Sequence, residues 1–161
     1  NLVKQLKDRS MSRQYGALVY GHPSKEGTIA APMDRHRLQR TKMAVVYSGK
    51  PAVTHYRLSE TTAHCAWVDV KLETGRTHQI RVHMTHIGHP LVGDLVYRQG
   101  RPGLSRATQE ARALIDGFPR QALHARKLGL IHPTSGENVE FNVPLPSDLH
   151  ELLTSLRQVD V

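Results

Sequence analysis

The stretch ETGRTHQIRVHMTHIGHPLVGDLVY, from Glu73 to Tyr97, decides the fold of this chain. It places four histidines, two arginines and three glycines within 25 residues. The pattern predicts the end of a strand, a turn at Gly75, and a short helix with Thr77 as its N-cap and Gly88 after its last turn. Three apolar residues recur at helical spacing and are expected to face a core: Ile80, Met84 and Ile87.

Two arginines lie at the start of this helix, where a positive charge is unfavourable. Arg76 and Arg81 meet the positive end of the helix dipole there, at a cost of about 0.3–1 kcal/mol. An anion is therefore expected to compensate, either a buried carboxylate from elsewhere or a phosphate of a bound ligand. The alternative is that both arginines point into solvent, as most surface charges do.

The composition predicts a single basic domain that binds a polyanion. The chain has 161 residues, 22 Lys and Arg against 14 Asp and Glu, and a net charge of +8. Nucleic acid is the first expected partner and an anionic membrane surface the second. No apolar run approaches the ~20 residues of a membrane span, so we expect no membrane insertion. Cys65 is the one cysteine, which favours a reducing compartment, the cytoplasm.

Outside the central stretch, period-two alternation predicts many short strands. Seven segments fit this pattern: 15–20, 28–31, 43–47, 52–58, 66–73, 123–131 and 138–143. A turn over 48–51 predicts a hairpin between the third and fourth of them. Helices are expected near Leu2, from Ser105 to about Ile115, and from Ser147 onward. In the last of these, four leucines recur at i, i+3, i+4 and i+7 and are expected to face the core: Leu149, Leu152, Leu153 and Leu156. The predicted fold class is α+β, with a mixed, mainly antiparallel β-sheet and peripheral helices.

The segment from Asp34 to Lys42, DRHRLQRTK, predicts a basic loop, because Leu38 is its single apolar residue. Such a run is often a solvated surface. In a chain with a charge of +8 we favour contact with nucleic acid instead. The loop carries four cations: Arg35, Arg37, Arg40 and Lys42.

The four histidines of the central stretch raise the question of a zinc site. They are His78, His83, His86 and His89. Their spacing lacks the i, i+4 pair with an intervening glutamate that a helical zinc hydrolase uses, so no metal is predicted. We expect structural hydrogen bonds from His78 and His83, and a loop or cap role for Asp94. No phosphate-binding glycine loop and no G-x-S-x-G elbow occurs, so no cofactor is predicted.

Three motifs together resemble one enzyme family. R-x-Y-x-A-L-V-x-G spans Arg13–Gly21, G-R-T-H-Q-I-R-V-H and G-H-P-L-V-G-D-x-x-Y lie within Gly75–Tyr97, and L-H-A-x-x-L-x-x-x-H-P spans Leu123–Pro133. The chain resembles the RluA-type RNA pseudouridine synthases, and within them the RluD-like enzymes that modify large-subunit ribosomal RNA. The resemblance implies an isomerase that acts on uridine in RNA without cofactor or metal.

The resemblance also implies roles for individual residues. Tyr15 would stack on the flipped base, Arg81 would pair with the catalytic aspartate, and Ile80 would line the base pocket. Arg76 and the four cations of the basic loop would bind substrate.

The sequence departs from the family pattern at the nucleophile. The family's aspartate lies in an H-R-L-D motif that precedes the tyrosine motif, whereas His36-Arg37-Leu38-Gln39 follows Tyr15 and ends in an amide. An amide is a poor nucleophile. We therefore expect the nucleophile to lie upstream of Asn1. Residues 1–161 would then be the C-terminal portion of a catalytic domain, and we expect this portion alone to be inactive. The alternative is a non-catalytic RNA-binding module on the same scaffold.

Overall fold

The computed structural model describes residues 1–159. Within this range the elements follow in the order α1 (Leu2–Lys7), β1 (Ser12–Tyr20), β2 (Glu26–Ala30), β3 (Met33–Arg35), β4 (Met43–Val45), β5 (Val53–Thr61), β6 (Cys65–Leu72), α2 (Gln79–His86), α3 (Gln109–Asp116), β7 (Leu123–Ile131), β8 (Asn138–Asn142) and α4 (Ser147–Val159).

Six strands form one antiparallel sheet in the order β2-β5-β6-β1-β7-β8. β3 and β4 pair separately as a two-stranded ribbon. This arrangement confirms the predicted α+β class. None of the helices within residues 1–159 combines the length and the apolar character needed to cross a bilayer.

The predicted hairpin between segments 43–47 and 52–58 is wrong. β4 pairs with β3, and β5 pairs with β2 and β6. The intervening turn is tied to the start of β3, because the backbone groups of Lys50 and Met33 exchange hydrogen bonds of 2.8 and 2.9 Å. A Cβ on Gly49 would lie 2.6 Å from the Met33 carbonyl oxygen, so only glycine permits this approach. The chain therefore passes from the ribbon into the main sheet.

The central strand β1 buries side chains on both faces of the sheet. Ala17 and Val19 pack with α2 on one side, while Leu18 and Tyr20 pack on the opposite side, which α3 and α4 cover. This division matches the predicted alternation. The leucines of α4 that recur at helical spacing are all buried, as predicted: Leu149, Leu152, Leu153 and Leu156.

A β-bulge interrupts the pairing of β1 with β7. Gln14 lies opposite Lys127, yet the next residue, Tyr15, lies opposite Ala125, so Arg126 is an extra residue on β7. The pairing of β1 with β6 continues through the same region without a shift. Bulges of this kind redirect side chains and are frequent beside active sites.

Two predicted helix starts are corrected. α3 begins at Gln109, and Thr108 rather than Ser105 is its N-cap, with its hydroxyl accepting from the Ala111 N–H at 3.1 Å. α2 begins at Gln79, with His78 rather than Thr77 at the N-cap position. No side chain at that N-cap accepts a helix N–H.

Candidate active site

A cavity of about 200 Å³ lies between β1, the end of β6, the start of α2 and the start of β7. We call it the Tyr15 cavity. Its lining residues are Tyr15, Leu72, Arg76, His78, Gln79, Ile80, Arg81, Gln121 and Leu123. Four of the residues predicted from the sequence therefore meet in one cavity: Tyr15, Arg76, Ile80 and Arg81.

Gln79 fixes the start of α2 at this cavity. Its side-chain oxygen accepts from the Thr74 hydroxyl at 2.8 Å and from the Arg76 N–H at 2.9 Å. Its amide nitrogen donates to the Val53 carbonyl at 3.1 Å and to the Thr54 hydroxyl at 2.9 Å. Because all four partners lie outside α2, the glutamine anchors the helix to β5 and closes the preceding turn.

His83 is a second anchor of α2 and is fully buried. Its Nε2 lies 2.9 Å from the Ala31 carbonyl and its Nδ1 lies 2.7 Å from the Thr54 hydroxyl. A carbonyl can only accept, so Nε2 carries the proton and Nδ1 accepts from Thr54. Burial lowers the pKa of His83, although the bond to Ala31 acts in the opposite direction. The predicted structural role of this histidine is confirmed.

The remaining histidines of the central stretch do not gather around a common point. His89 bonds through Nδ1 to the Tyr20 carbonyl at 2.8 Å, and His78 bonds to Tyr97. In the described part of the chain, no three His, Cys, Asp or Glu side chains are grouped so that they could hold a metal ion.

Arg81 forms a bidentate ion pair with Asp94. Nε lies 2.9 Å from Oδ2 and Nη2 lies 3.0 Å from Oδ1. The Asp94 side chain is 0% exposed and that of Arg81 is 12% exposed. The guanidinium also lies over the ring of Tyr97, 4.8 Å from its centre. The anion predicted for Arg81 is therefore a carboxylate of this chain.

Asp94 was expected only in a loop or cap role, so its ion pair with Arg81 adds a residue to the predicted site. Gly93 explains why Asp94 can reach the helix. It adopts a φ of +79°, and a Cβ there would lie 1.8 Å from the Arg120 carbonyl oxygen. One guanidinium nitrogen, Nη1 of Arg81, makes no hydrogen bond within residues 1–159, so the arginine retains a donor for a second anion.

Asp94 also caps its own turn, as predicted. Its Oδ1 accepts from the backbone N–H groups of Val96 at 3.1 Å and Tyr97 at 3.2 Å. Burial alone would raise the pKa of Asp94, but the bonds from Arg81 and from the two N–H groups outweigh it and lower the pKa below its usual 3.8. The bond to Asp94 likewise raises the pKa of Arg81.

Three residues of this region had no role in the sequence-based site. Tyr97 is the last residue of the quoted G-H-P-L-V-G-D-x-x-Y motif, so the motif could have indicated that Tyr97 belongs to the site. His78 also lies in a quoted motif, but nothing in its spacing indicated a cavity. Gln121 has no such signal: its side-chain oxygen is buried and makes no hydrogen bond within residues 1–159.

Arg76 reaches the cavity wall with part of its hydrogen-bonding capacity already used. Its Nε and Nη2 donate to the Pro51 carbonyl at 2.9 and 2.8 Å. The guanidinium is thereby held against the turn that follows β4. Its positive charge remains without a carboxylate within 4.0 Å among the described residues.

The four cations of the basic loop lie apart from the cavity, on what we call the basic ribbon, residues 33–45. Arg35, Arg37 and Arg40 are exposed, and Lys42 is half-buried. The tetrapeptide 36–39 is a tight turn in which the His36 ring accepts from the backbone N–H groups of Leu38 and Gln39. The structure thus groups these cations with one another and not with Tyr15.

Tyr97 connects the ribbon to the site. Its hydroxyl accepts from the backbone N–H of Met43, in β4, at 3.0 Å. Lys42 donates to the Val96 carbonyl at 3.3 Å beside it. Hydrogen bonds therefore connect the end of the ribbon at residues 42 and 43 to Val96 and Tyr97, and the ring of Tyr97 in turn contacts Arg81.

Known proteins resemble the chain over nearly all of its length. A sequence model of the RNA pseudouridylate synthase family matches residues 1–86. The ribosomal large subunit pseudouridine synthase D of Pseudomonas aeruginosa PAO1 is 54% identical over 158 residues, which are 98% of this chain and 49% of that protein. The Escherichia coli K12 protein of the same name is 49% identical over 157 residues, 97% of this chain and 48% of its own length. The chain spans about half the length of these curated relatives.

Two solved human structures share the fold. Human RNA Pseudouridylate Synthase Domain Containing 1 superimposes with a TM-score of 0.71 at 30% identity and covers 96% of this chain and 69% of its own. Human RNA Pseudouridylate Synthase Domain Containing 4 gives a TM-score of 0.74 at 24% identity, and the match covers 97% of this chain and 66% of the human chain. The motifs around Tyr15 and Arg81, the shared fold and the match over residues 1–86 establish that this chain belongs to the RNA pseudouridylate synthase family.

Proposed function

We propose that this chain is the C-terminal portion of a catalytic domain that isomerises uridine to pseudouridine in RNA, with large-subunit ribosomal RNA as the substrate. The observation that carries the proposal is that Tyr15 and Arg81 line one cavity. The names of the relatives supply the substrate class. With Cys65 as its one cysteine, the proposed compartment is the cytoplasm.

The cavity has the character of a pocket for a flipped base. Tyr15 provides an aromatic face for stacking, and Ile80, Leu72 and Leu123 provide an apolar wall. Its lining residues include no Asp or Glu. The proposed nucleophile is therefore an aspartate supplied by a segment outside these 161 residues, and the free Nη1 of Arg81 is the group that would hold it.

The proposed reaction follows the family resemblance and uses no cofactor. The aspartate attacks the sugar carbon of the glycosidic bond and displaces the base. The base turns, its carbon forms the new bond to the sugar as the aspartate leaves, and removal of the proton from that carbon completes pseudouridine. Tyr15 is proposed to take part in this proton removal. Stacking on Tyr15 keeps the detached base in the cavity, and Arg81 orients the carboxylate. The ion pair with Asp94 fixes the guanidinium in place before the substrate arrives, which is the preorganisation that catalysis requires.

The basic ribbon is the proposed contact for the RNA backbone. Arg35, Arg37 and Arg40 are exposed there. Cations that neutralise phosphates release counterions, so affinity contributed by the ribbon should fall steeply with salt. Arg76 is proposed to contact the nucleotide closer to the cavity.

Turnover of the isolated chain is the first test. We expect residues 1–161 alone to form no pseudouridine in a ribosomal RNA fragment, and the full-length protein to form it, as measured by nucleoside chromatography. Pseudouridine formed by the isolated chain would show that the nucleophile lies within it and would overturn the division proposed here.

A non-catalytic RNA-binding module on this scaffold is the second candidate, supported by the exposed cations of the ribbon. Arg81→Met in the full-length protein separates the two functions. Because the substitution leaves Asp94 buried without its counter-charge, both activities are measured at a temperature where circular dichroism shows the variant to be folded. Loss of turnover with RNA binding retained then fits the enzyme, whereas an equal loss of binding fits the module. Arg37→Met is the matched control, because it removes a ribbon charge and should weaken binding while kcat at saturating RNA stays unchanged.

A further inference from the structure

His78 adopts a left-handed backbone conformation, which costs free energy for a residue that has a Cβ. Its φ of 56° and ψ of 23° place it in the left-handed region. Among the non-glycine residues of 1–159, only Arg9, with a φ of 63°, shares a positive φ. Glycine would adopt this conformation without the steric cost of a Cβ. Backbone strain of this kind is concentrated at functional sites, which makes the imidazole itself a candidate for a role.

The hydrogen bonds of Tyr97 indicate which ring nitrogen of His78 carries the proton. The Tyr97 hydroxyl lies 2.6 Å from Nδ1 of His78 and 3.0 Å from the Met43 nitrogen. The Met43 N–H can only donate, so the hydroxyl accepts there. The hydroxyl has a second lone pair, but if it also accepted from Nδ1 its own proton would have no partner among the described residues. Donation from Tyr97 to Nδ1 satisfies both groups, so we assign Nδ1 as the acceptor and place the proton of the neutral ring on Nε2.

The surroundings of His78 favour the neutral ring. His78 is exposed, but desolvation on the side of its ring that faces the protein lowers its pKa, and the charge of Arg81 lowers it further, while Asp94 acts in the opposite direction. Tyr97 meets the ring edge to face at a centre-to-centre distance of 5.5 Å and an angle of 71°. The titratable and charged groups around the ring are thus Arg81, Asp94 and Tyr97. At neutral pH the ring therefore presents an uncharged N–H.

Several other donors of the Tyr15 cavity are occupied, whereas the Tyr15 hydroxyl, the Gln121 amide nitrogen and Nη1 of both arginines make no hydrogen bond within residues 1–159. Gln79 uses its side-chain amide in four hydrogen bonds to other parts of the chain. Arg76 donates twice to Pro51, and Arg81 donates twice to Asp94. His78 lines the same cavity with one ring nitrogen unused. An uncharged N–H suits a neutral carbonyl oxygen, whereas a phosphate oxygen is better matched by the arginines.

We propose that His78 donates a hydrogen bond from Nε2 to a carbonyl oxygen of the base in the Tyr15 cavity, with Tyr97 fixing the tautomer. The inference rests on the proposed function, because it takes the cavity to be the base site. It adds a substrate-contacting residue, His78, and a positioning residue, Tyr97.

The tautomer and the contact are tested by ¹⁵N NMR of the histidine rings in the full-length protein, with the His78 signals assigned by comparison with His78→Gly. At pH 7.5 we expect Nε2 protonated and Nδ1 unprotonated. Uridine should shift the Nε2 signal, and inorganic phosphate should leave it unchanged. A proton on Nδ1 in the free protein, or a response to phosphate and none to uridine, overturns the proposal. Tyr97→Phe should produce a mixture of tautomers.

Turnover provides the second test, with the other left-handed residue as a matched control. His78→Gly should lower kcat/KM about tenfold, the effect of one lost hydrogen bond, while the folding midpoint stays equal or rises. Arg9→Gly relieves the same backbone conformation in an exposed residue and should leave kcat/KM unchanged. A His78→Gly protein with a lowered midpoint and normal kcat/KM would show a structural role only.

The two tests also separate this inference from the proposed function. If the full-length wild-type protein forms no pseudouridine, the proposed function fails, and the NMR titration with uridine still decides whether His78 contacts a base. If wild-type turnover is normal and His78→Gly matches it, the proposed function stands and the role of His78 is refuted.

Discussion

Arg81 and Asp94 face each other across the turn after α2 through two parallel hydrogen bonds, with both side chains withdrawn from solvent. A buried pair of this geometry is stable only while both charges are present. The ion pair therefore couples the orientation of a proposed catalytic arginine to the stability of the fold.

Asp94→Asn tests this coupling. The amide keeps an acceptor for the turn but leaves the guanidinium without a counter-charge, so we expect a loss of about 3–5 kcal/mol in the free energy of unfolding, measured with urea. Asp148→Asn is the matched control, because Arg120 contacts Asp148 in the same two-pronged geometry but at the surface. Its loss should be much smaller. Equal losses in both variants would contradict the buried pair at Arg81.

His83 predicts a decrease in stability on mild acidification. Its pKa is lowered in the fold from the usual 6.5. As the pH falls below 6.5, the unfolded chain binds the proton first, and stability decreases until the pH reaches the lower folded pKa. His83→Gln cannot titrate, so its free energy of unfolding should change less than that of the wild type between pH 8 and pH 5.5. Identical changes in the two proteins would refute the contribution of His83.

Gln79 and Gln121 line the same cavity and should respond oppositely to the same substitution. Gln121→Met removes a buried oxygen without a partner, and we expect stability to rise by about 1 kcal/mol. Gln79→Met removes four hydrogen bonds and should lower stability by roughly 2–4 kcal/mol. Thermal unfolding of the two variants side by side provides the measurement. A loss of stability in Gln121→Met would mean that its amide has a partner in solution.

The basic ribbon predicts a specific salt dependence. If Arg37 and Arg40 each contact one phosphate of single-stranded RNA, Arg37→Met with Arg40→Met should reduce the slope of log affinity against log salt by about 1.4. Lys4→Met with Lys7→Met removes the same charge from α1, which packs against β7 and not against the ribbon, and should leave the slope unchanged. Filter binding at several salt concentrations measures both. An equal reduction in both proteins would indicate a general charge effect and not a ribbon contact.

Sequence patterns could predict the features that depend on local spacing. The alternation in β1 and the leucine repeat of α4 gave the correct buried faces, because period and burial are linked directly. The meeting of Tyr15 with Arg81 was also predicted, but through motif resemblance and not through spacing.

Features set by long-range contacts could not be read in this way. The pairing of β4 with β3 depends on the backbone contact between Gly49 and Met33, and the partner of Arg81 depends on how Gly93 packs under Arg120. The sequence does not predict the buried, unpaired oxygen of Gln121 either, because a missing hydrogen bond is a property of the three-dimensional surroundings. Such contacts are decided by the folded chain as a whole.

The extra residue Arg126 on β7 has a consequence for insertions and deletions in this protein. Leu123, in the cavity wall, lies on one side of it, and Leu128 lies on the other. Leu123 lies opposite Ala17 and Leu128 lies opposite Arg13, so both leucines share one face although five positions separate them. Removing Arg126 would close the bulge and leave both segments facing as they do now, whereas deleting a residue elsewhere in β7 would exchange inside and outside for one of them. Position 126 is therefore the place in β7 where loss of one residue keeps the alternation intact.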